Sequence, residues 1–193
     1  METVKRDVRF NEEAHVYTVD GKRMPGINEI LESAGITRGI PDIPAVKAAV
    51  EKGTIVHKYL ELLDTNQLGC YEVDANVQPY INAWGKFLGD SPFELCRDKV
   101  EYLVYNEELR YCTRIDRVMK LEGELVTVNI KTGRSIKHYS VQSAAEAMAI
   151  GARRRCSVYL SEDGNFNVEE YRDCEDEEVF RAAVKIYDWK KGR

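Results

Sequence analysis

The chain has 193 residues, with 28 Lys+Arg against 33 Asp+Glu for a formal net charge of −5, 44% apolar residues and 32% charged ones. That length suits one domain, and the composition excludes collagen-like, low-complexity and wholly disordered chains. No apolar run approaches the roughly 18 residues of a membrane helix, and the opening METVKRDVRF lacks a signal core, so a cytoplasmic protein is expected.

From the N-terminus, residues 8–24 read as a hairpin, with alternation through His15–Val19 and a two-residue turn signal at Asp20-Gly21. Pro25-Gly26 closes it, and residues 27–35 read as a short helix stopped by Gly35. A helical stretch runs from about Ala45 to Asn66, with a break expected at Gly53, and a second covers 74–89 despite Pro79. Near residue 93 the apolar period changes from helical to alternating. Strands are expected at 94–105, 110–121 and 124–131, a helix at 139–151, strands at 155–160 and 165–171, and a helix at 175–189. This order describes an α/β sandwich with a mixed sheet built on an antiparallel meander. The chain reads as one domain: hairpin and helix (1–35), helical region (36–92) and core (93–193). Cys70, Cys96, Cys112, Cys156 and Cys174 contain no CxxC pair and read as free thiols.

The chemistry concentrates in CTRIDRVMKLEGELVTVNIKTG at 112–133. A two-residue turn at Glu122-Gly123 sets Asp116 opposite Asn129 and Arg114 opposite Lys131. Residues two apart share a face, and opposed Cβ atoms lie about 4.5–5.5 Å apart. Asp116, Asn129 and Lys131 then share one face, while Ile115, Val126, Val128 and Ile130 face the core. A turn at Glu107-Glu108 places Glu101 opposite Arg114 and diagonal to Asp116. Acidic oxygens beside a lysine suit a hard cation, Mg²⁺ or Mn²⁺, which can acidify a bound water and offset phosphate charge. The plainer reading is a solvated sheet face with charges paired across strands. Upstream, His57 lies about 140° from the centre of the apolar stripe of its helix at 100° per residue, so it is no core histidine. It is either a surface side chain paired with Glu61 or a ligand.

In the order of these motifs the sequence resembles the PD-(D/E)XK nuclease superfamily, specifically the RecB-type exonuclease branch. That branch includes phage and prophage recombination exonucleases, the mitochondrial genome maintenance exonuclease and CRISPR-associated relatives. Its pattern is an Asp on the second strand, D-I-K-T-G on the third and a Gln on the following helix. Asp116, Asn-Ile-Lys-Thr-Gly at 129–133 and Gln142 match it, except at Asn129. GTIVHKYLE at 53–61 resembles the branch's upstream metal-binding His motif, and HVYTVDGKRMPGINEIL at 15–31 its N-terminal hairpin and helix. The resemblance implies a restriction-endonuclease-like core and a Mg²⁺- or Mn²⁺-dependent DNA exonuclease acting at free ends. It implies His57, Asp116 and position 129 as metal ligands and Glu101 as an accessory ligand. Lys131 would activate the attacking water and Gln142 would orient it.

Asn129 stands where the family has an acidic ligand. Three readings stay open: a deliberate Asp-to-Asn change that traps substrate, a naturally weakened nuclease that still binds DNA, or a different alignment of the motif. The runner-up function is a non-catalytic DNA-binding or protein-interaction module. Glu146 replaces a Tyr frequent in the family, and the cysteine quartet of cluster-bearing relatives is absent, so no iron–sulfur cluster is expected. Arg134, Lys137, Arg153, Arg154 and Arg155 are the candidate DNA-binding residues, since basic charge beside an acidic site draws a phosphate backbone inward. Tyr139 and Trp84 could stack on bases, though each reads more naturally as core.

Overall fold

The computed structural model describes residues 6–39, 41–70 and 72–193. The first five residues, read above for the missing signal core, lie outside the described residues, as does the side chain of Cys70. The N-terminal stretch forms three antiparallel strands rather than one hairpin: β1 (Val8–Asn11), β2 (Val16–Val19) and β3 (Lys22–Met24). Val19 pairs with Lys22, so Asp20 (φ 50°) and Gly21 (φ 76°) form the two-residue turn with both φ values positive. Pro25-Gly26 does more than end the sheet: the Cys112 N–H donates to the Pro25 carbonyl at 2.9 Å, tying it to the larger sheet.

Three helices follow: α1 (Ile27–Ser33), α2 (Pro44–Asp64) and α3 (Gln78–Asp90). The expected break at Gly53 is absent; α2 runs through it. One glycine costs a helix interior only about 1 kcal/mol, which 21 residues of helix absorb. Pro79 is no blemish either. It sits in the first turn of α3, where its missing N–H breaks no helical bond, so the helix begins at Gln78 rather than 74.

The main sheet has five strands in the order β4 (Glu94–Asn106), β5 (Tyr111–Leu121), β6 (Glu124–Lys131), β7 (Arg154–Leu160), β8 (Phe166–Glu170). β6 and β7 are parallel, joined by α4 (His138–Ile150), and the other pairs are antiparallel; α5 (Glu175–Lys191) ends the chain. Helices cover both faces. On one, Val56 and Leu60 of α2 and Trp84 and Phe87 of α3 pack on Met119, Val128, Ile130 and Val158. On the other, Ile30, Tyr111, Ala145, Phe180 and Val184 join α1, α4 and α5. The expected α/β architecture with a mixed sheet and an antiparallel meander is observed. Among the described residues, no helix is long and apolar enough to cross a membrane.

The expected β5–β6 register is observed: Leu121 pairs with Glu124 and Arg117 with Val128, with Glu122 (φ 54°) and Gly123 (φ 83°) in the turn. The expected β4–β5 register is not. Asn106 pairs with Tyr111, so the loop has four residues, 107–110, instead of two. The Asn106 side chain accepts from the Leu109 N–H at 2.8 Å, and Arg110 takes a positive φ of 56° to close it. From Val100 to Asn106 the pairing therefore slides by two residues, which preserves the face of each side chain there, whereas Glu94 and Leu95, before the bulge, are displaced by one. Glu101 now falls between the pairs Val100–Arg117 and Tyr102–Ile115, beside Asp116 rather than opposite Arg114.

Candidate metal centre

The site lies where β5 and β6 stop pairing. Their ladder ends at Arg117–Val128, and one step on, Asp116 Oδ2 accepts the Ile130 N–H at 2.8 Å. The carbonyl of the same residue, Ile130, accepts from His57 Nε2 at 3.1 Å. With Nε2 donating, Nδ1 is left unprotonated in the neutral ring and faces the carboxylates, 3.7 Å from Asp116 Oδ1 and 3.9 Å from Glu101 Oε1. A backbone carbonyl that fixes the far nitrogen of an imidazole is the usual device for presenting its near nitrogen to a metal.

Glu101 reaches the site through a bulge. Five steps along β4, from Leu95 to Val100, oppose two along β5, and Glu101 itself has φ 48°. A left-handed conformation at a non-glycine residue costs roughly 1–3 kcal/mol, so packing and polar partners must hold it. They are present: Arg117 Nη1 lies 3.0 Å from Oε1 and Arg114 Nε 3.2 Å from Oε2. Arg114 in turn pairs with Glu12 at 2.8 Å and stacks on Phe10, linking the small sheet to the site.

His57, Glu101 and Asp116 each offer one ligand atom within 4.8 Å of the others, and all three are half-buried. One imidazole and two carboxylates on three separate elements, α2, β4 and β5, could hold a metal ion. Burial works against charge on His57, but Asp116 and then Glu101 outweigh it, so its pKa is raised.

Behind Glu101 stands a buried network that sequence reasoning missed. Arg117 is fully buried, with Nε 2.5 Å from Asp64 Oδ2 and Nη1 donating to the Asp116 carbonyl at 2.6 Å. Asp64, 2% exposed, also accepts from Trp84 Nε1 at 3.0 Å. A signal existed for both: Asp64 continues the Val56–Leu60 stripe of α2, and Arg117 stands between core-facing Ile115 and Met119. Trp84 belongs to this core.

Asn129 and Gln142 meet around a third unexpected residue, Glu146. Asn129 Nδ2 donates to Glu146 Oε2 at 2.5 Å, and Gln142 Nε2 to Glu146 Oε1 at 2.9 Å. Burial pushes the Glu146 carboxyl up to about 7; Asp116 adds to this, while Lys131, Asn129 and Gln142 pull the other way. Lys131 is half-buried, its Nζ 4.4 Å above the Tyr139 ring.

The candidate DNA-binding residues separate into two groups. Arg134 and Lys137 are exposed in the connection from β6 to α4, on the side of the site. Arg153 immediately precedes β7 and Arg154 and Arg155 open it, where Arg154 neighbours Val126, whereas Tyr159 neighbours Lys131. Five residues of strand, about 16 Å at 3.3 Å each, separate the two ends. Arg155 is buried and bonded to Asp176 Oδ2 at 2.8 Å; Arg154 pairs with Glu122 and Glu170. The structure does not bring these three arginines to the His57–Glu101–Asp116 cluster.

No family model matches the chain, and no curated protein does. Among solved structures, the chain is similar to the crystal structure of SSO0001, with 14% identity and a TM-score of 0.33, over 69% of this chain and 85% of that one.

Proposed function

We propose that the protein is a metal-dependent DNA exonuclease of the PD-(D/E)XK type, with Mg²⁺ or Mn²⁺ at His57, Glu101 and Asp116. The observation that carries the reading is the convergence of these three side chains at the end of β6, where Lys131 also stands. The sequence resemblance supplies DNA as the substrate. A bound divalent cation would acidify a water and offset charge on the scissile phosphate. The protein's own groups would do the rest. The Ile130 peptide keeps His57 and Asp116 aimed, Arg117 and Arg114 keep Glu101 in its strained position, and the Lys131 ammonium steadies charge developing on the attacking oxygen and the phosphate. Arg134 and Lys137, exposed beside the site, meet the phosphate backbone.

A second reading, a DNA-binding module without catalysis, is favoured by one observation: the neutral Asn129. End-labelled DNA and matched RNA, incubated with the native chain and with Asn129→Asp in Mg²⁺, Mn²⁺ or EDTA, separate the two. Metal-dependent shortening of DNA from its ends supports the nuclease. Salt-sensitive DNA binding without cleavage by either protein supports the second reading, and neither binding nor cleavage rejects both.

A further inference from the structure

Glu146 is 1% exposed on the side of α4 that packs against β6, and its two described partners, Asn129 and Gln142, are both neutral amides. A buried carboxyl is expensive to keep where an apolar side chain would pack freely, so two donors converging on it mark a position that needs an acid. Its contact with Asn129 has a further effect. An amide offers one NH₂ and one oxygen; with Nδ2 given to Glu146, Oδ1 is the atom left over. Gln142 Nε2 donates to that oxygen in a long bond of 3.5 Å, which leaves its second lone pair available. Residue 129 is the next strand position beyond the last β5–β6 pair, as Asp116 is on the other strand.

We propose, resting on the metal-centre reading above, that Glu146 supplies the negative charge missing at position 129. It fixes the Asn129 amide so that Oδ1 serves as the fourth donor to a divalent cation on His57, Glu101 and Asp116, and it polarises that amide from behind. Metal-bound histidines are backed by carboxylates in the same way. Glu146 is thus a positioning residue, and the chain with Asn129 is a competent metal protein rather than a disabled one.

The test is a double-mutant cycle on the full chain, read by calorimetric Mn²⁺ titration without DNA, with circular dichroism and thermal unfolding as the check on folding. Glu146→Gln in the native background should weaken Mn²⁺ binding by about 10- to 100-fold, the range for loss of a residue behind a metal ligand. In the Asn129→Asp background the ligand carries its own charge, and the same Glu146→Gln change should leave affinity unchanged or raise it. Should Glu146→Gln fail to fold, Glu146→Asp, which withdraws the carboxylate by one methylene, reads the same contrast. Equal losses in both backgrounds, or no loss in the native one, would overturn the proposal. Binding only when Asp stands at 129 would overturn it too, yet leave the metal centre intact. Absence of Mn²⁺ binding in all four proteins rejects the metal centre itself, and this proposal with it.

Discussion

Replacing Arg117 by methionine should be among the most damaging single changes to the fold, because it strands a buried charge. Methionine matches the length of the arginine stem and so nearly keeps its volume, but loses the guanidinium whose central carbon lies 5.9 Å from the Trp84 ring. What it removes is the cation paired with the Asp64 carboxylate, which is 2% exposed and whose other side-chain partner is the Trp84 indole N–H. Breaking a buried pair from one side typically costs about 3–5 kcal/mol. For a domain of this size each kcal/mol lowers Tm by roughly 2–4 °C, so the expected fall is about 6–20 °C. Equilibrium unfolding in urea, paired with thermal circular dichroism, measures it. Adding Asp64→Asn should recover much of the loss, since the amide can still accept from Trp84 without a charge to desolvate. A loss below about 1 kcal/mol for Arg117→Met, or a double variant no more stable than the single one, would refute the idea that charge rather than volume is at stake.

The remaining expectations are shorter. Lys131→Ala should abolish DNA cleavage while leaving Mn²⁺ affinity nearly intact and lowering stability by only about 0.5–1 kcal/mol, its contact with Tyr139; near-normal cleavage would show that another group steadies the developing charge. His57 has a raised pKa in the folded protein, so its protonated form contributes stability that is complete below the unfolded value near 6.5 and lost as pH rises through the folded one. The stability advantage of the native chain over His57→Ala, measured in urea with EDTA, should therefore shrink from pH 5.5 to pH 8.5, and a growing advantage would reject the carboxylate contacts. Burial pushes the Cys112 and Cys156 thiols up to about 12, whereas Cys174 is exposed. Mass-mapped alkylation at pH 8 should label Cys174 first and reach Cys112 and Cys156 only with denaturant; prompt native labelling of either would contradict the packing.

The parts of this structure that could be read in advance are those governed by short-range rules. A two-residue turn leaves no freedom in pairing, so Glu122-Gly123 set the β5–β6 register and with it the shared face of Asp116 and Asn129. The loop after β4 resisted because its closing elements, the Asn106 side chain and the left-handed Arg110, carry no glycine or Asn-Gly signal. The bulge before Glu101 resisted for the same reason: Arg97-Asp98-Lys99 breaks the apolar alternation, but nothing in it says by how many residues the strand overshoots. Sliding by two kept Glu101 on the expected face, so the site survived an incorrect register. The position of the basic run at 153–155 could not be read because its place in the sequence, soon after α4, says nothing of which end of β7 it occupies; a parallel strand starts at the end of the sheet away from the cluster.

Long-range charge balance supplies what local rules could not. Among the described residues, five charged side chains are buried: Asp64, Arg117, Glu146, Arg155 and Asp176. Arg117 pairs with Asp64 at 2.5 Å and Arg155 with Asp176 at 2.8 Å, which leaves Glu146 as the buried acid whose recorded hydrogen bonds come only from amides. Each of the two ion pairs ties separate elements together: Arg117 joins β5 to α2, and Arg155 joins β7 to α5. Glu146 joins α4 to β6 as well, but through Asn129, the residue beside the His57–Asp116–Glu101 cluster. A purely structural acid could have been paired or replaced at no cost to packing. On the reading proposed above, an acid bonded only by amides, one residue behind a cluster that could hold a metal ion, would be balanced by that ion, and this links the acid at 146 to the amide at 129.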